Sequence, residues 1–212
     1  LSEEGVWDVD DLEDKVTKPN QWGSVGAKSF KAFTTTRKHL PAGAYSITLD
    51  HNDDRPIFSH KDIKSDDLIR FDGSIADQIL GEIGEFWGRS EVFKSMGFLH
   101  RRGYLLYGPQ GTGKSCIVQR IVDDTIKRGG VVFVCENPKF FAKGLMTFRQ
   151  VESDRQLVCI FEDIDAIIKR HGEDDILSIL DGNNQVDKVL NLANCSFHRP
   201  ETKQQLTMES AY

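Results

Sequence analysis

No stretch of the 212 residues approaches the roughly 18 consecutive apolar residues that a membrane-spanning helix needs, so no membrane segment is expected. The signal-peptide pattern is missing as well. Asp8, Asp10, Asp11, Glu13 and Asp14 make the opening acidic, and a soluble, cytoplasmic location is expected. Cysteine is scarce. Cys116, Cys135, Cys159 and Cys195 show no C-x-x-C spacing, which excludes a disulfide or zinc framework and leaves small buried hydrophobes in a reducing compartment. A basic excess is lacking too, with 27 Lys and Arg against 33 Asp and Glu. The net charge of −6 argues against a dominant nucleic-acid footprint and leaves room only for a local basic groove. What remains is ordinary for a soluble globular protein, 39% hydrophobic and 28% charged, enough for one good-sized domain or a domain with a small appendage.

The chain is organised around Gly108-Pro109-Gln110-Gly111-Thr112-Gly113-Lys114-Ser115, a complete G-x-x-x-x-G-K-[ST]. It follows the apolar run Gly103-Tyr104-Leu105-Leu106-Tyr107 and precedes an amphipathic segment, the strand–loop–helix setting of a phosphate cradle. The glycines let successive backbone N–H groups close around an anion, and the next helix adds its positive N-terminal end. In such a loop Lys114 reaches the β- and γ-phosphates of ATP, and the Ser115 hydroxyl is a ligand for Mg²⁺.

Upstream, residues 1 to about 40 read as a solvated leader. Leu40 to Leu49 ends in strand-like alternation, Asp50 to Pro56 is a turn, and Ile57-Phe58-Ser59 is a returning strand. His51 and His60 stand near Asp50, Asp53 and Asp54 without ligand spacing and are read as loop residues; no metal other than Mg²⁺ is expected. From Ile75 the period becomes helical, with Ile75, Ile79, Leu80, Ile83, Phe86 and Trp87 on one face, and Ser90 to Met96 forms a second short helix. Arg101-Arg102 reads as a solvated turn or as a pair facing the nucleotide or a neighbouring subunit. After the loop, Ile117, Val118, Ile121, Val122 and Ile126 make a core stripe. Val131 to Cys135 and Leu157 to Phe161 are buried strands, Pro138 to about Gln150 and Asp174 to Asp181 are helices, and Val189 to Ala193 is the last strand. This alternation predicts an α/β fold on a parallel sheet. The expected divisions are an N-terminal, partly β region over 1–70, a core over 71–196 and an irregular tail over 197–212.

Leu157 to Phe161 ends in Glu162-Asp163-Ile164-Asp165, which places acids at the carboxyl edge of the sheet beside the phosphate loop. By position, Glu162 serves Mg²⁺ and Asp163 orients the attacking water, the reverse of the usual Asp-Glu order. The catalytic candidates are therefore Lys114, Glu162 and Asp163, the phosphate-binding candidates Gly108 to Ser115, and the metal candidates Ser115 and Glu162.

The phosphate loop, Phe161-Glu162-Asp163-Ile164-Asp165-Ala166-Ile167 and Ile179-Leu180-Asp181-Gly182 resemble the AAA family of ATPases. Within it, Arg102-Gly103-Tyr104-Leu105-Leu106-Tyr107-Gly108-Pro109 and the Glu-Asp order look like the group of the mitochondrial AAA ATPase that assembles respiratory complex III, over roughly residues 70 to 195. The group's membrane-spanning N-terminus has no counterpart here, which points to a soluble relative. The resemblance implies a three-layer αβα core, ATP and Mg²⁺ as cofactors, a homo-oligomeric ring, and remodelling or translocation of a protein partner; the family's arginine finger and C-terminal helical lid are expected to be missing, since the sequence stops at Tyr212 before them. Two other functions compete: a nucleotide-binding module without efficient hydrolysis, and a nucleic-acid-associated motor. The family's polar sensor on the strand after the acids falls on Ser196 counting from Ala193, and on His198 counting back from Pro200-Glu201. Lys139-Phe140-Phe141-Ala142-Lys143-Gly144 lies where many such proteins carry an aromatic pore loop, but it reads better as a helix burying Phe140 and Phe141.

Overall fold

Runs such as Val131–Val134 and Leu157–Phe161 are apolar at every position, so they gain most from a sheet covered on both faces. The computed structural model describes residues 21–26, 29–33, 37–51, 54–63, 75–181, 186–197 and 208–209. Two short strands, β1 (Gln21–Gly26) and β2 (Ser29–Phe33), pair antiparallel with each other. Then come β3 (Gly43–Leu49), β4 (Pro56–His60), α1 (Ile75–Gly88), α2 (Ser90–Ser95), β5 (Arg101–Pro109), α3 (Lys114–Lys127), β6 (Val131–Val134) and α4 (Pro138–Val151). The chain continues through β7 (Leu157–Phe161), α5 (Ile164–His171), α6 (Asp174–Leu180), β8 (Val189–Phe197) and β9 (Met208–Glu209).

Among the described residues the main sheet has seven strands in the order β4-β3-β6-β7-β8-β5-β9. β3, β6, β7, β8 and β5 run parallel, and β4 and β9 close the two edges antiparallel. The expected α/β class with a parallel sheet is therefore observed. The expected hairpin is present too, with Leu49 opposite Pro56 and Tyr45 opposite His60, and it joins the main sheet through β3 beside β6. His60 is thus a strand residue, not a loop residue, with its ring edge-on to Tyr45.

Side-chain alternation sorts the core into two layers. Val158, Ile160, Leu190 and Leu192 pack with Ile79, Ile83 and Phe86 of α1 and Ile117, Val118, Ile121 and Val122 of α3. On the other face, Leu157, Cys159, Phe161 and Val189 pack with Phe141, Leu145 and Phe148 of α4, Ile167 of α5, and Ile176 and Ile179 of α6. The result is an αβα sandwich. Ile75, expected on the buried stripe of α1, is the first residue of that helix and is exposed. The Lys139–Gly144 segment lies within α4, with Phe141 buried and Phe140 half-buried, so the helical reading of that stretch holds. Of the cysteines, Cys135 and Cys159 are buried, but Cys195 is half-buried and Cys116 exposed on α3, which corrects their reading as uniformly buried.

The amino edge of the sheet is tied by charge. The Glu152 carboxylate, only 2% exposed, accepts from the Leu40 N–H at 2.8 Å and from Arg155 Nη1 at 2.9 Å, and lies 3.1 Å from His39 Nδ1. Arg149, on the last turn of α4, donates to the carbonyls of Glu152, Arg155 and Lys188, the loops that lead into β7 and β8. Burial disfavours its cationic form and lowers its pKa. Arg101 and Arg102 belong to this end as well. Arg101 bonds the Leu180 carbonyl, and Arg102 pairs with Glu82 at 2.9 Å and lies over the Tyr104 ring. They open β5 at the end opposite the phosphate loop, so neither a turn nor a nucleotide-facing role describes them. Among the described residues no helix is long and apolar enough to cross a membrane. The acidic leader over 1–14, Gly182, His198, Pro200-Glu201 and all of the tail past Phe197 except Met208 and Glu209 lie outside the described residues.

Candidate active site

Two loops meet at the carboxyl edge of the sheet. The first leaves β5 at Pro109, turns through Gln110 to Gly113, and enters α3 at Lys114. Gly111 and Gly113 hold φ of 78° and 83°, the left-handed region that favours glycine. A Cβ at either would meet no atom within 4 Å, so conformation and not crowding demands glycine, and the space they face is open. Gly113 occupies the N-cap position of α3 without any side-chain cap, and the first helical bond recorded there is Ile117 N–H to the Gly113 carbonyl. The N–H groups of Lys114, Ser115 and Cys116 are therefore left without helical acceptors at the positive end of a 14-residue helix, the arrangement that receives an anion.

Lys114 is buried, and its ammonium donates to the carbonyls of Gly108 and Pro109 at 2.9 and 2.8 Å. Thr112 Oγ1 donates to the same Pro109 carbonyl at 2.9 Å. These bonds fold the loop on itself and store the lysine above the space that a phosphate would fill. Ser115 and Gln110 are exposed at the mouth.

The second loop leaves β7 at Phe161. Glu162 and Asp163 are both exposed, and α5 begins at Ile164. Asp163 sits at φ 48° and ψ 57°, a conformation costly for a residue with a Cβ, and stands at the N-cap position of α5 without capping the helix through its side chain. Its N–H donates to Asn194 Oδ1 at 2.6 Å. Asn194 is buried on β8, level with Leu106 of the phosphate-loop strand, while Ala193 lies level with Phe161 of the acidic strand. β8 lies between β5 and β7, so Asn194 stands between the two loops. Among the described residues of that strand it is Asn194, not Ser196, that bonds the acidic loop. Ser196 lies level with Gly108, two residues farther along, and His198 is outside the described residues.

The next residue, Cys195, is half-buried at the end of β8. Burial pushes the thiol pKa up, the carboxylates of Asp165 and Asp163 add to the rise, and Lys114 opposes it. The site thus gathers Lys114, Asp163, Asp165, Asn194 and Cys195. The sequence reading named the first two for catalysis and gave no role to the other three. Asn194 was concealed because strand pairing, not distance from a proline or alanine along the chain, decides which residue sits beside the acids.

The donor set suits Mg²⁺ on a nucleotide. Exposed oxygens of Ser115 and Glu162 offer hard ligands, and among the described residues no three His, Cys, Asp or Glu side chains converge into a cage of their own. Phosphate oxygens would complete such a site.

Comparison with known proteins agrees with this geometry. Residues 104–201 match the family described as "ATPase family associated with various cellular activities (AAA)". The chain is 30% identical over 99 residues to AAA-ATPase At2g18193 of Arabidopsis thaliana, a match that covers 47% of this chain and 19% of the relative. It is also 30% identical over 96 residues to Protein HYPER-SENSITIVITY-RELATED 4 of Arabidopsis thaliana, covering 43% of this chain and 15% of the relative. The chain therefore spans less than a fifth of the length of either.

Proposed function

We propose, from the AAA match over residues 104–201, that this chain carries a Mg²⁺-dependent ATPase module that acts on a protein partner from within a homo-oligomeric ring. The observation that carries the catalytic part is the strained Asp163 backbone, pinned by Asn194 next to the phosphate loop. A non-glycine residue in left-handed conformation persists only where its surroundings hold it, and such residues concentrate at functional sites.

In this reading the N–H groups of residues 111–116 surround the β-phosphate, and Lys114 exchanges the carbonyls of Gly108 and Pro109 for phosphate oxygens. Ser115 and Glu162 hold Mg²⁺, whose charge offsets that of the β- and γ-phosphates. Asp163 orients the water that attacks the γ-phosphate. Asn194 uses its oxygen on the Asp163 amide, which leaves its NH₂ group to donate toward the same phosphate. The Arg102-to-Pro109 run and the Glu162-Asp163 order support placing it near the group of the complex III assembly ATPase.

Steady-state ATPase measurements with the wild type, Lys114→Ala and Asp163→Asn test the proposal. Lys114→Ala should lose MgATP binding. Asp163→Asn should retain binding and lose turnover by about a hundredfold or more. Absence of wild-type turnover at every protein concentration would leave a nucleotide-binding module instead. Stimulation by nucleic acid with steep salt dependence would replace the protein partner with a nucleic acid.

A further inference from the structure

We propose that α2 and the turn after it form a two-fold docking surface for a second copy of this chain. α2 has no buried residue. It is anchored inward by Phe93, whose ring stands edge-on to Phe86 at 5.9 Å and lies 5.0 Å from His100. The other apolar side chains of the segment are left in solvent: Phe98 is 67% exposed, Met96 64%, Val92 49% and Leu99 42%. Single exposed apolar residues are ordinary, but four within residues 92–99 form a patch of the kind that marks an interaction surface. Hydrogen bonds hold the patch in shape. Gly97 takes φ of 73°, and the N–H groups of Gly97 and Phe98 bond back to the carbonyls of Lys94 and Phe93 at 3.1 and 3.0 Å. In such a helix ending the residue after the glycine frequently packs onto its own helix. Phe98 stays exposed instead, and being held in place it lowers the ordering cost of a partner's arrival.

Charge identifies the occupant. Helix residues three and four apart share a side, so Val92 and Met96 line one flank of the exposed face, and Glu91 and Lys94 line the other. Among the described residues neither Glu91 nor Lys94 has an ion-pair partner, whereas the nearby Arg89 is already paired with Glu85 at 2.9 Å. Two copies of α2 laid antiparallel about a two-fold axis bring like flanks together. Val92 then meets Met96 of the second copy, and Glu91 meets Lys94 of the second copy, each contact occurring twice. The patch is thus complementary to itself. An acidic protein or an anionic membrane would call for cations alone, and here Glu91 stands beside Lys94. The segment leads into the start of β5, whose far end carries the phosphate loop, so the contact leaves the nucleotide site open. It needs no nucleotide and stands independent of the ATPase reading.

Sedimentation of the full chain without nucleotide, from micromolar to millimolar concentration, tests the proposal. The mass should rise with concentration from 24.0 kDa toward twice that value. Phe98→Asp should abolish the rise while leaving the thermal melt in place, since Phe98 is mostly exposed. Glu91→Lys puts two cations on the charged flank, and Lys94→Glu puts two anions there. Each alone should weaken association about threefold to tenfold. An equimolar mixture of these two variants should recover wild-type association, because opposite flanks then meet, and so should the Glu91→Lys/Lys94→Glu double variant. These differences should fade in about 1 M salt. A wild type that stays at 24.0 kDa at every concentration overturns the proposal and leaves the patch to a different partner. So does association that survives Phe98→Asp, or charge variants that associate no better mixed than alone. If Phe98→Asp fails to fold, the mixing experiment decides by itself.

Discussion

Asp163 shows how a single residue can be costly to the fold and still be kept. Its left-handed backbone is disfavoured by about 1 to 3 kcal/mol for a side chain with a Cβ, and its carboxylate forgoes the helix cap that an aspartate there usually provides. Both departures leave the carboxylate exposed at the edge of the sheet beside the phosphate loop. Removing Asn194 should therefore damage chemistry more than binding. Asn194→Ala is expected to lower kcat by about tenfold to a hundredfold while the affinity for MgATP changes little, as read by steady-state turnover alongside equilibrium nucleotide titration. The motif residues themselves were legible in the sequence. Gly108 to Ser115 encode a loop whose conformation depends on its own glycines, and Glu162-Asp163 follow an unmistakable buried strand. Asn194 was not legible, because its place beside Asp163 depends on the register between β7 and β8, a relation between segments about 30 residues apart.

The elements differ in how far their own residues determine them. The stripes of α1 and α3 repeat every three to four positions and predicted two covered helices, both observed. The hairpin of β3 and β4 was legible as a hairpin, but its junction with β6 was not, since nothing local to residues 43–60 names a strand almost 90 residues away. α5 was not assigned from the sequence either, being only eight residues long with one fully buried position, Ile167. Where α4 crosses β3, Gly144 permits contact so close that a Cβ would stand 2.6 Å from Ile47 Cγ2. Gly144→Ala should therefore cost about 1 to 3 kcal/mol of stability in urea unfolding. In an Ile47→Ala background the same change should cost less, because the clashing atoms are gone. At the opposite edge, Glu152→Ala would leave the Leu40 N–H and the Arg155 guanidinium without their buried partner. A loss of about 3 kcal/mol is expected by the same measurement, and Glu152→Gln should lose less because its amide oxygen can still accept.

For the molecule as a whole, alkaline pH should be a point of weakness. Burial raises the Cys135 thiol from its ordinary 9.0 to about 12, and it raises the wholly buried Cys159 further. Both thiols stay protonated in the fold while the unfolded chain ionises. Their contribution to stability is thus complete below pH 9 and should decline as pH rises through the window from 9 to about 12. Thermal melts across that range should show a falling midpoint, and iodoacetamide should label Cys116 in the native protein while sparing Cys135 and Cys159 until it unfolds. The insertion of β8 between β5 and β7 has a different kind of consequence. Two strand spacings separate the phosphate-loop strand from the acidic strand, roughly 9 to 10 Å. On the proposed ATPase reading, that width would make β8 a gauge of the nucleotide itself. A diphosphate would fill the cradle and end short of Asp163, whereas a third phosphate would carry the reacting phosphorus across the gap, so the sheet would count phosphates before any side chain reacted with one.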